Sequence, residues 1–160
     1  MRIRPATAAD IPSIMNLERQ SATSGHWTEQ QYREVFRNEG VGRLVLVAED
    51  SPVAGSNASP DALPRILGFL VAHHLAPEWE LENIVVASPA RRKGLGKRLL
   101  DALLTAVRKT NSTSVFLEVR DSNAAARTLY EKAGFAQSGR RKAYYTDPAE
   151  DAVLYHWILS

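Results

Sequence analysis

Apolar residues recur along the chain at two spacings, one typical of β-strands and the other of α-helices. Alternating or near-continuous apolar runs predict seven strands, at residues 3–5, 44–48, 66–75, 80–86, 114–119, 135–145 and 152–159. Apolar spacings of three and four residues predict four helices between them. Strands and helices are interspersed without an internal repeat, which indicates a mixed α/β fold.

Start and stop signals bound the predicted helices. Capping boxes precede the first two, as Thr7-x-x-Asp10 and Thr28-x-x-Gln31. The third helix spans 94–109 and carries one apolar stripe, formed by Leu95, Leu99, Leu103 and Val107. The fourth spans 123–133, with Ser122 or Asp121 as the expected N-cap and Gly134 as the C-terminal stop.

Composition narrows the class of protein. The 160 residues are 44% hydrophobic and 24% charged, which is typical of a single globular domain spanning 1–160. No apolar run approaches the ~18 residues that a membrane span needs, so no membrane partner is expected. The absence of cysteine excludes disulfides, thiolate metal ligands and a cysteine nucleophile. Because no apolar segment follows Met1 as in a secretory signal, the expected location is the cytoplasm.

Positive charge is concentrated in one segment. Residues 91–98 read RRKGLGKR, and the rest of the chain has 15 basic against 18 acidic residues. Gly94 and Gly96 lie between a predicted strand and helix, where free N–H groups and the helix dipole bind anions. The segment therefore predicts a site for a multiply charged anion such as a pyrophosphate, and a solvated basic turn is the alternative. It lacks the P-loop and dinucleotide fingerprints, and without interleaved aromatics no nucleic acid is expected.

Two segments resemble a known enzyme superfamily. Arg91-x-x-Gly94-x-Gly96 resembles the acetyl-CoA signature of the GNAT superfamily of N-acetyltransferases. The segment 117–135, LEVRDSNAAARTLYEKAGF, is similar to the bacterial ribosomal-protein-alanine N-acetyltransferases, as is the tail RRKAYYTDPAEDAVLY. The resemblance implies a twisted, mostly antiparallel sheet of about seven strands flanked by about four helices. Strands 80–86 and 114–119 are implied to splay apart at its centre.

The resemblance implies acetyl-CoA as the cosubstrate. The residues implied to contact it are Ile84, Val85, Val86, Arg91, Arg92, Lys93, Gly94, Leu95, Gly96, Lys97 and Asn123. In this scheme the backbone of 84–86 pairs with the pantetheine arm, and an N–H group near Val85 stabilises the oxyanion. The segment 91–97 holds the pyrophosphate.

Two side chains are implied to move protons. Tyr130 is the general acid that protonates the departing thiolate, and Glu118 is the general base, acting through a water. Glu82 is the rival base, because many members of the superfamily place a base two residues before the position of Ile84. Glu80 lies on the same face as Glu82 by strand alternation.

Each candidate also has a structural interpretation. Tyr130 could be a core aromatic, Asn123 could serve only as a helix cap, and Glu118 could pair with Arg120 on the same face. The adjacent residues of His73-His74 should point to opposite faces of a strand, so no metal site is expected there.

The implied acceptor is a protein N-terminal amine, first of all the N-terminal alanine of a small-subunit ribosomal protein. Tyr144 and Tyr145 resemble a tyrosine pair near the acceptor groove, and His26-Trp27 falls where a wall of that groove is expected. The subfamily usually has proline where His26 stands, and 50–64 forms an unusually long predicted loop, so other acceptors stay open. The alternatives are a lysine or small amine as acceptor, a non-catalytic acyl-CoA-binding module, and a nucleic-acid-binding or ribosome-binding module.

Overall fold

A computed structural model describes residues 1–21, 27–37, 42–50 and 64–159. Most of the predicted loop 50–64 and His26 lie outside this part. The strands within it are β1 Arg2–Pro5, β2 Arg43–Asp50, β3 Arg65–Leu75, β4 Glu78–Val86, β5 Ser114–Arg120, β6 Ala136–Thr146 and β7 Ala149–Ile158. The α-helices are α1 Ile11–Gln20, α2 Glu29–Arg37, α3 Leu95–Arg108 and α4 Ala124–Lys132. The predicted mixed α/β class is confirmed.

One sheet contains all seven strands, in the order β1-β2-β3-β4-β5-β7-β6. Every neighbouring pair is antiparallel except β4 and β5, which run parallel. These two strands pair only at Glu78–Ser114, Trp79–Val115 and Glu80–Phe116. Beyond Glu80 they separate, so the predicted splay lies at the centre of the sheet.

A β-bulge interrupts β4 next to the point of separation. Val71 of β3 pairs with Asn83 and Ala72 pairs with Leu81, so Glu82 is an extra residue on β4. Leu81 packs in the core on the α3 side, whereas Val85 packs in the core on the α1 side. In a regular strand, residues four apart share a face, so the bulge lets β4 contribute to both cores.

The sheet separates two hydrophobic cores. On one face, Ile14 and Leu17 of α1 and Tyr32 and Val35 of α2 pack against Phe69 and Val71 of β3. On the other face, α3 packs mainly against β2, β3 and β4, and Tyr130 of α4 packs against Tyr155 of β7. The predicted stripe of α3 is buried here, as Leu95, Leu99, Leu103 and Val107. At roughly 1.5–3 kcal/mol for each fully buried leucine-sized side chain, this stripe anchors α3 firmly to the sheet.

The helix ends confirm most of the predicted signals. In the second capping box the Thr28 N–H donates to Gln31 Oε1 at 2.7 Å, and the Gln31 N–H donates to Thr28 Oγ1 at 3.2 Å. The first box introduces a 3-10 turn, Ala8–Asp10, which leads into α1. Gly134 stops α4 with a φ of +99°. None of the helices in the described part of the chain is long and apolar enough to cross a membrane.

The expected N-cap of α4, Ser122 or Asp121, is wrong, whereas the interpretation of Asn123 as a helix cap is confirmed in that it does cap the helix. The cap is Asn123, whose Oδ1 accepts a hydrogen bond from the Ala126 N–H at 3.2 Å. Asp121 instead forms an ion pair with Arg127 at 2.8 Å. The Ser122 N–H donates to the Glu150 carboxylate. The two residues that the sequence favoured therefore contact Arg127 inside α4 and Glu150 on β7 instead.

Candidate active site

The basic turn brings free backbone N–H groups to the start of α3. Gly94 is the N-cap residue, with φ +78° and ψ 11°, a left-handed conformation that favours glycine. A Cβ added at Gly94 would meet nothing within 4 Å, so the surface above this backbone is open. Arg92 also has a positive φ, of 63°. The turn therefore presents the N-terminal end of a 14-residue helix to solvent, where an anion is stabilised by the helix dipole.

Two residues of the turn serve packing. Leu95 is only 2% exposed and belongs to the core, so only its backbone can face a ligand. A Cβ at Gly96 would lie 3.0 Å from Leu129 Cδ2, so this glycine lets α3 approach α4 closely. The basic side chains of the turn do not take part in this packing. All four are exposed: Arg91, Arg92, Lys93 and Lys97.

The orientation of the β4 backbone decides which amides face the splay. The Ala87 N–H donates to Leu67 O at 2.8 Å, which makes these two residues a hydrogen-bonded pair of the β3–β4 ladder. Because such pairs alternate in antiparallel sheets, Val85 also directs its N–H and C=O toward β3. Ile84 and Val86 direct theirs into the splay. Consistent with this, the carbonyl oxygen of Val86 accepts from Arg91 Nε at 3.1 Å.

The same alternation exposes the opposite edge. The Leu159 N–H donates to Thr113 O at 2.9 Å, which makes these residues a hydrogen-bonded pair of the β5–β7 ladder. Alternation from that pair turns the backbone of Glu118 away from β7 and toward the splay. The splay is therefore a slot with backbone polar groups along both edges.

Tyr130 of α4 is 6% exposed and lies in the core on the α3 side. Its ring centroid is 5.9 Å from that of Phe135 and 6.1 Å from that of Tyr155. Burial, together with the nearby Tyr145 phenol, raises the pKa of the Tyr130 hydroxyl. Tyr130 therefore holds its proton at neutral pH in a largely apolar setting. It is both a core aromatic and a candidate proton donor.

Glu118 does not form the ion pair with Arg120 that its structural interpretation predicted. Its carboxylate forms an ion pair with Arg141 of β6 at 3.0 Å. The charge of Glu118 and a hydrogen bond to it raise the pKa of the Tyr144 hydroxyl. Arg120 instead pairs with Glu150 at 3.4 Å.

Glu82 is held by an arginine from β2. Arg43 Nε donates to Glu82 Oε2 at 3.0 Å, and Arg43 Nη2 donates to Oε1 at 2.9 Å. The Arg43 guanidinium also lies 5.2 Å from the centre of the Trp27 ring. Because a bidentate arginine fixes both carboxylate oxygens, Glu82 is less available as a base than its position in the sequence indicates.

Glu80 forms no ion pair within the described residues, in contrast to Glu82 and Glu118. It belongs to the last pair that joins β4 to β5, so it lies where the splay opens. Partial burial and the charges of Glu82 and Glu118 raise the pKa of the Glu80 carboxyl. In the sequence, Glu80 is distinguished only by the strand face that it shares with Glu82. What sets it apart in the fold is that Glu82 and Glu118 are paired with arginines from distant strands, which no local pattern indicates.

His73 and His74 diverge as predicted. His74 stacks on Trp79 with ring centroids 4.6 Å apart. His73 Nδ1 approaches Glu82 Oε1 at 3.6 Å. Ligand atoms of His73, Glu80 and Glu82 lie within 4.8 Å of one another, which is close enough for a metal ion. The Arg43 guanidinium already binds Glu82 there, so the expectation of no metal stays a prediction.

The chain matches the model of the acetyltransferase (GNAT) family over residues 11–135. The [ribosomal protein bS18]-alanine N-acetyltransferase of Escherichia coli is 39% identical over 147 residues, which are 91% of this chain and 88% of that protein. The crystal structure of the ribosomal-protein-S18-alanine N-acetyltransferase from Escherichia coli has a TM-score of 0.79 and 28% identity, covering 99% of this chain and 94% of that one.

A plant structure shares the fold at lower identity. Arabidopsis thaliana NAA60 in complex with acetyl-CoA has a TM-score of 0.85 at 16% identity, covering 99% of this chain and 98% of that one. The family match spans the basic turn, both splayed strands and α4, which are the elements that build the site described above. The chain therefore belongs to the acetyltransferase (GNAT) family and is an N-acetyltransferase.

Proposed function

We propose that residues 1–160 form one domain that transfers an acetyl group from acetyl-CoA to a protein N-terminal α-amine. The acceptor proposed first is the N-terminal alanine of a small-subunit ribosomal protein, as the name of the Escherichia coli relative indicates for that enzyme. The observation that carries the proposal is the slot between β4 and β5, with a basic helix start at one end and carboxylates and tyrosines at the other.

The basic turn fits the charged part of acetyl-CoA. The open backbone at Gly94 accepts close approach of a phosphate, and exposed cations surround it. Arg91, Arg92, Lys93 and Lys97 supply charge, while Leu95 and Gly96 supply only backbone. Asn123 Oδ1 is engaged in the helix cap, so its side-chain amide is the group left for a cofactor contact. Arabidopsis thaliana NAA60, which has the same fold, has been crystallised in complex with acetyl-CoA.

The slot fits the pantetheine arm and the thioester. Ile84 and Val86 direct their N–H groups into the slot, so these amides, rather than that of Val85, are positioned to stabilise an oxyanion. Such preorganised donors contribute about 3–4 kcal/mol to the transition state in other acyl-transfer enzymes.

Tyr130 is proposed to protonate the departing thiolate. A free thiol has a pKa near 8.5 and a tyrosine near 10, so proton transfer from the phenol to the thiolate is uphill by roughly 2 kcal/mol in water, a small cost compared with the loss of an unprotonated thiolate. Burial raises the pKa of Tyr130 and disfavours a thiolate formed in the same apolar setting as well, so the phenol stays protonated until that charge develops beside it. The proton then moves from the phenol oxygen to the sulfur.

Glu118 is proposed as the base that accepts the amine proton, through a water. The amine nitrogen forms the new bond to the acetyl carbon, and the C–S bond breaks. An α-amine, with a pKa of about 7.7–8.0, is partly neutral near pH 7, whereas deprotonating a lysine at 10.4 costs roughly 3–4 kcal/mol more. A paired carboxylate such as Glu118 is a modest base and suits an α-amine better. Glu80 is the alternative, because it has no cationic partner among the described residues and its pKa is raised.

Mass spectrometry tests the proposal. Purified protein and acetyl-CoA are incubated with peptides that have free Ala, Ser, Met or Gly N-termini and with N-blocked lysine peptides. We expect acetylation of the Ala or Ser N-terminus, and its loss in Tyr130→Phe. Faster acetylation of lysine or of small amines would contradict the proposed acceptor, and thiol release without any acetylated product would contradict the reaction.

A further inference from the structure

We call the end of the slot that carries Glu80, Glu82 and Glu118 the acceptor end, because the amine is proposed to bind there. The edge strand β6 contains a bulge close to this end, where Arg141 of β6 contacts Glu118. Arg141 pairs with Ala152 of β7, and the next pair is Tyr145 with Glu150. Three residues of β6 therefore lie opposite one residue of β7, Asp151. Bulges of this kind bend a strand and redirect its side chains, and they are common beside active sites.

The carboxylate of Asp151 holds the bulge in shape. Asp151 Oδ1 accepts a hydrogen bond from the N–H of Ala143 at 2.9 Å. Ala143 has a φ of +51°, in the left-handed region that is unfavourable for alanine. Asp151 Oδ2 accepts from Arg140 Nη1 at 3.2 Å. The carboxylate of Asp151 therefore holds the backbone N–H of a residue in a strained conformation.

A chain of ion pairs connects this bulge to α4. Arg140 also contacts Asp121, at 3.1 Å, and Asp121 accepts from Arg127 at 2.8 Å. Arg127 lies one turn before Tyr130 on α4. The network therefore ties the bulge to the helix that carries the proposed acid.

The bulge presents aromatic rings beside Glu118. Tyr144 is 48% exposed and packs edge to face on Tyr145, with ring centroids 5.1 Å apart. Arg141, whose guanidinium lies 5.5 Å from the Tyr144 ring, bridges to the Glu118 carboxylate at 3.0 Å. An exposed aromatic pair beside a carboxylate can pack against the first residues of an extended peptide.

We propose that Asp151 is a positioning residue for peptide acceptors. It acts through the Ala143 backbone to hold Tyr144 against the peptide, at a distance from the reacting atoms. The ligand of this surface is the chain that follows the acceptor amine, so acceptors without such a chain do not use it. The inference rests on the proposed function, because it takes a peptide as the acceptor.

Steady-state kinetics of the full chain test this role. In Asp151→Ala we expect KM for an Ala-starting octapeptide to rise about tenfold, which corresponds to the loss of one charged hydrogen bond. KM for acetyl-CoA, and kcat/KM for alanine amide, should change less than about twofold, because neither ligand reaches Tyr144. Asp151→Asn keeps an acceptor for the Ala143 N–H and should show a smaller rise.

Rescue by a second substitution separates positioning from a general structural role. Glycine adopts positive φ without strain, so D151A/A143G should recover most of the lost peptide affinity. Ser138→Ala is the matched control, because it removes the 2.7 Å contact with His156 Nδ1 at the other irregularity of the same strand pair. It should leave peptide KM unchanged.

The possible results distinguish failure of the positioning role from failure of the proposed function. An equal rise of KM for peptide and acetyl-CoA, or no rescue by Ala143→Gly, overturns the positioning role. If Asp151→Ala does not fold, Asp151→Asn with and without Ala143→Gly gives the same comparison. If the wild-type protein acetylates no peptide N-terminus, the proposed function fails and this inference fails with it. If it does and the peptide KM of Asp151→Ala is unchanged, only this inference fails.

Discussion

The two ends of the slot between β4 and β5 are built in different ways. The basic end is one continuous segment, 91–97, in which a left-handed Gly94 and the start of α3 expose backbone N–H groups. The acceptor end combines side chains from β2, β3, β4, β5 and β6 through ion pairs that cross the sheet. The backbone geometry of one segment can be predicted from its local sequence, whereas ion pairs across the sheet can be identified only once the fold is known.

The two ends also differ in how their charge is balanced. The cations of the basic turn are exposed, and in the described part of the chain Lys97 alone among them has an acidic partner, Asp101 at 2.9 Å. At the acceptor end, Glu82 and Glu118 already have arginine partners, and Glu80 has none among the described residues. The first end therefore suits a bound anion, and the proton transfer that we propose would take place at the second.

The largest expected effect is on the proton step. Tyr130→Phe removes the proposed acid, so kcat should fall by about 10²–10⁴-fold while KM for acetyl-CoA changes little. Steady-state kinetics with an Ala-starting peptide measure both constants.

Tyr155→Phe is the matched control, because it removes a hydroxyl from the same aromatic cluster. Tyr155 donates to Glu131 at 2.7 Å and accepts from Arg127 at 3.1 Å, so its loss should lower stability rather than turnover. Equal turnover of Tyr130→Phe and wild type would remove Tyr130 from the mechanism.

The next effect is confined to the basic end. Gly94→Val places a β-branched residue at φ +78° and adds atoms where a phosphate is expected to approach, so affinity for coenzyme A should fall at least about tenfold. Isothermal titration measures this. Gly139→Val is the control, since a Cβ there also meets nothing within 4 Å and its φ is not positive. Similar affinity losses in both variants would show that the loss comes from placing valine on the surface in general and not from a phosphate site at this turn.

The pH dependence of kcat/KM distinguishes the two bases. If Glu118 is the base, Glu118→Gln should lose most activity below pH about 7.7, where the α-amine is protonated, and least above it. If Glu80 is the base, Glu118→Gln should stay active. Its acidic limb should then move to lower pH, because the Glu118 charge no longer raises the pKa of Glu80.

The smallest expected effect is on stability. Because the folded-state pKa of Glu80 is raised, ionisation destabilises the fold, and this cost is absent below the unfolded carboxyl pKa and grows as pH rises. Glu80→Gln should therefore raise Tm slightly at pH 7 and leave it unchanged near pH 3. Glu82→Gln, which breaks the Arg43 pair, should lower Tm at pH 7. Thermal unfolding followed by circular dichroism measures both Tm values. A lower Tm for Glu80→Gln at pH 7 would contradict a raised pKa of Glu80 in the folded state.

Local patterns predicted most of the fold. The leucine stripe of α3, the glycine stop of α4 and the second capping box are each encoded by residues close together in the sequence, and all three are present in the structure. The N-cap of α4 was the exception. Its two expected candidates have partners 28 and 6 residues away, Glu150 and Arg127, which local spacing does not reveal.

The candidate site was predictable only in part. The basic turn and Tyr130 lie in continuous motifs, so resemblance located them. The arginines that pair with the carboxylates do not belong to such motifs. Arg43 and Glu82 are 39 residues apart and meet only through the register of β2, β3 and β4. Which amides face the slot also depends on that register, and it turns Val85 away.

The extra residue Glu82 in β4 makes the strand tolerant of a change in its length at this point. Leu81 and Asn83 on either side of it pair with adjacent residues of β3, so Glu82 is the one residue of this segment that can be removed without turning the others over. Trp79 and Leu81 would stay in the core, and only the carboxylate that contacts Arg43 and His73 would be lost. A relative could therefore gain or lose this carboxylate by a single-residue insertion or deletion while both cores keep their packing.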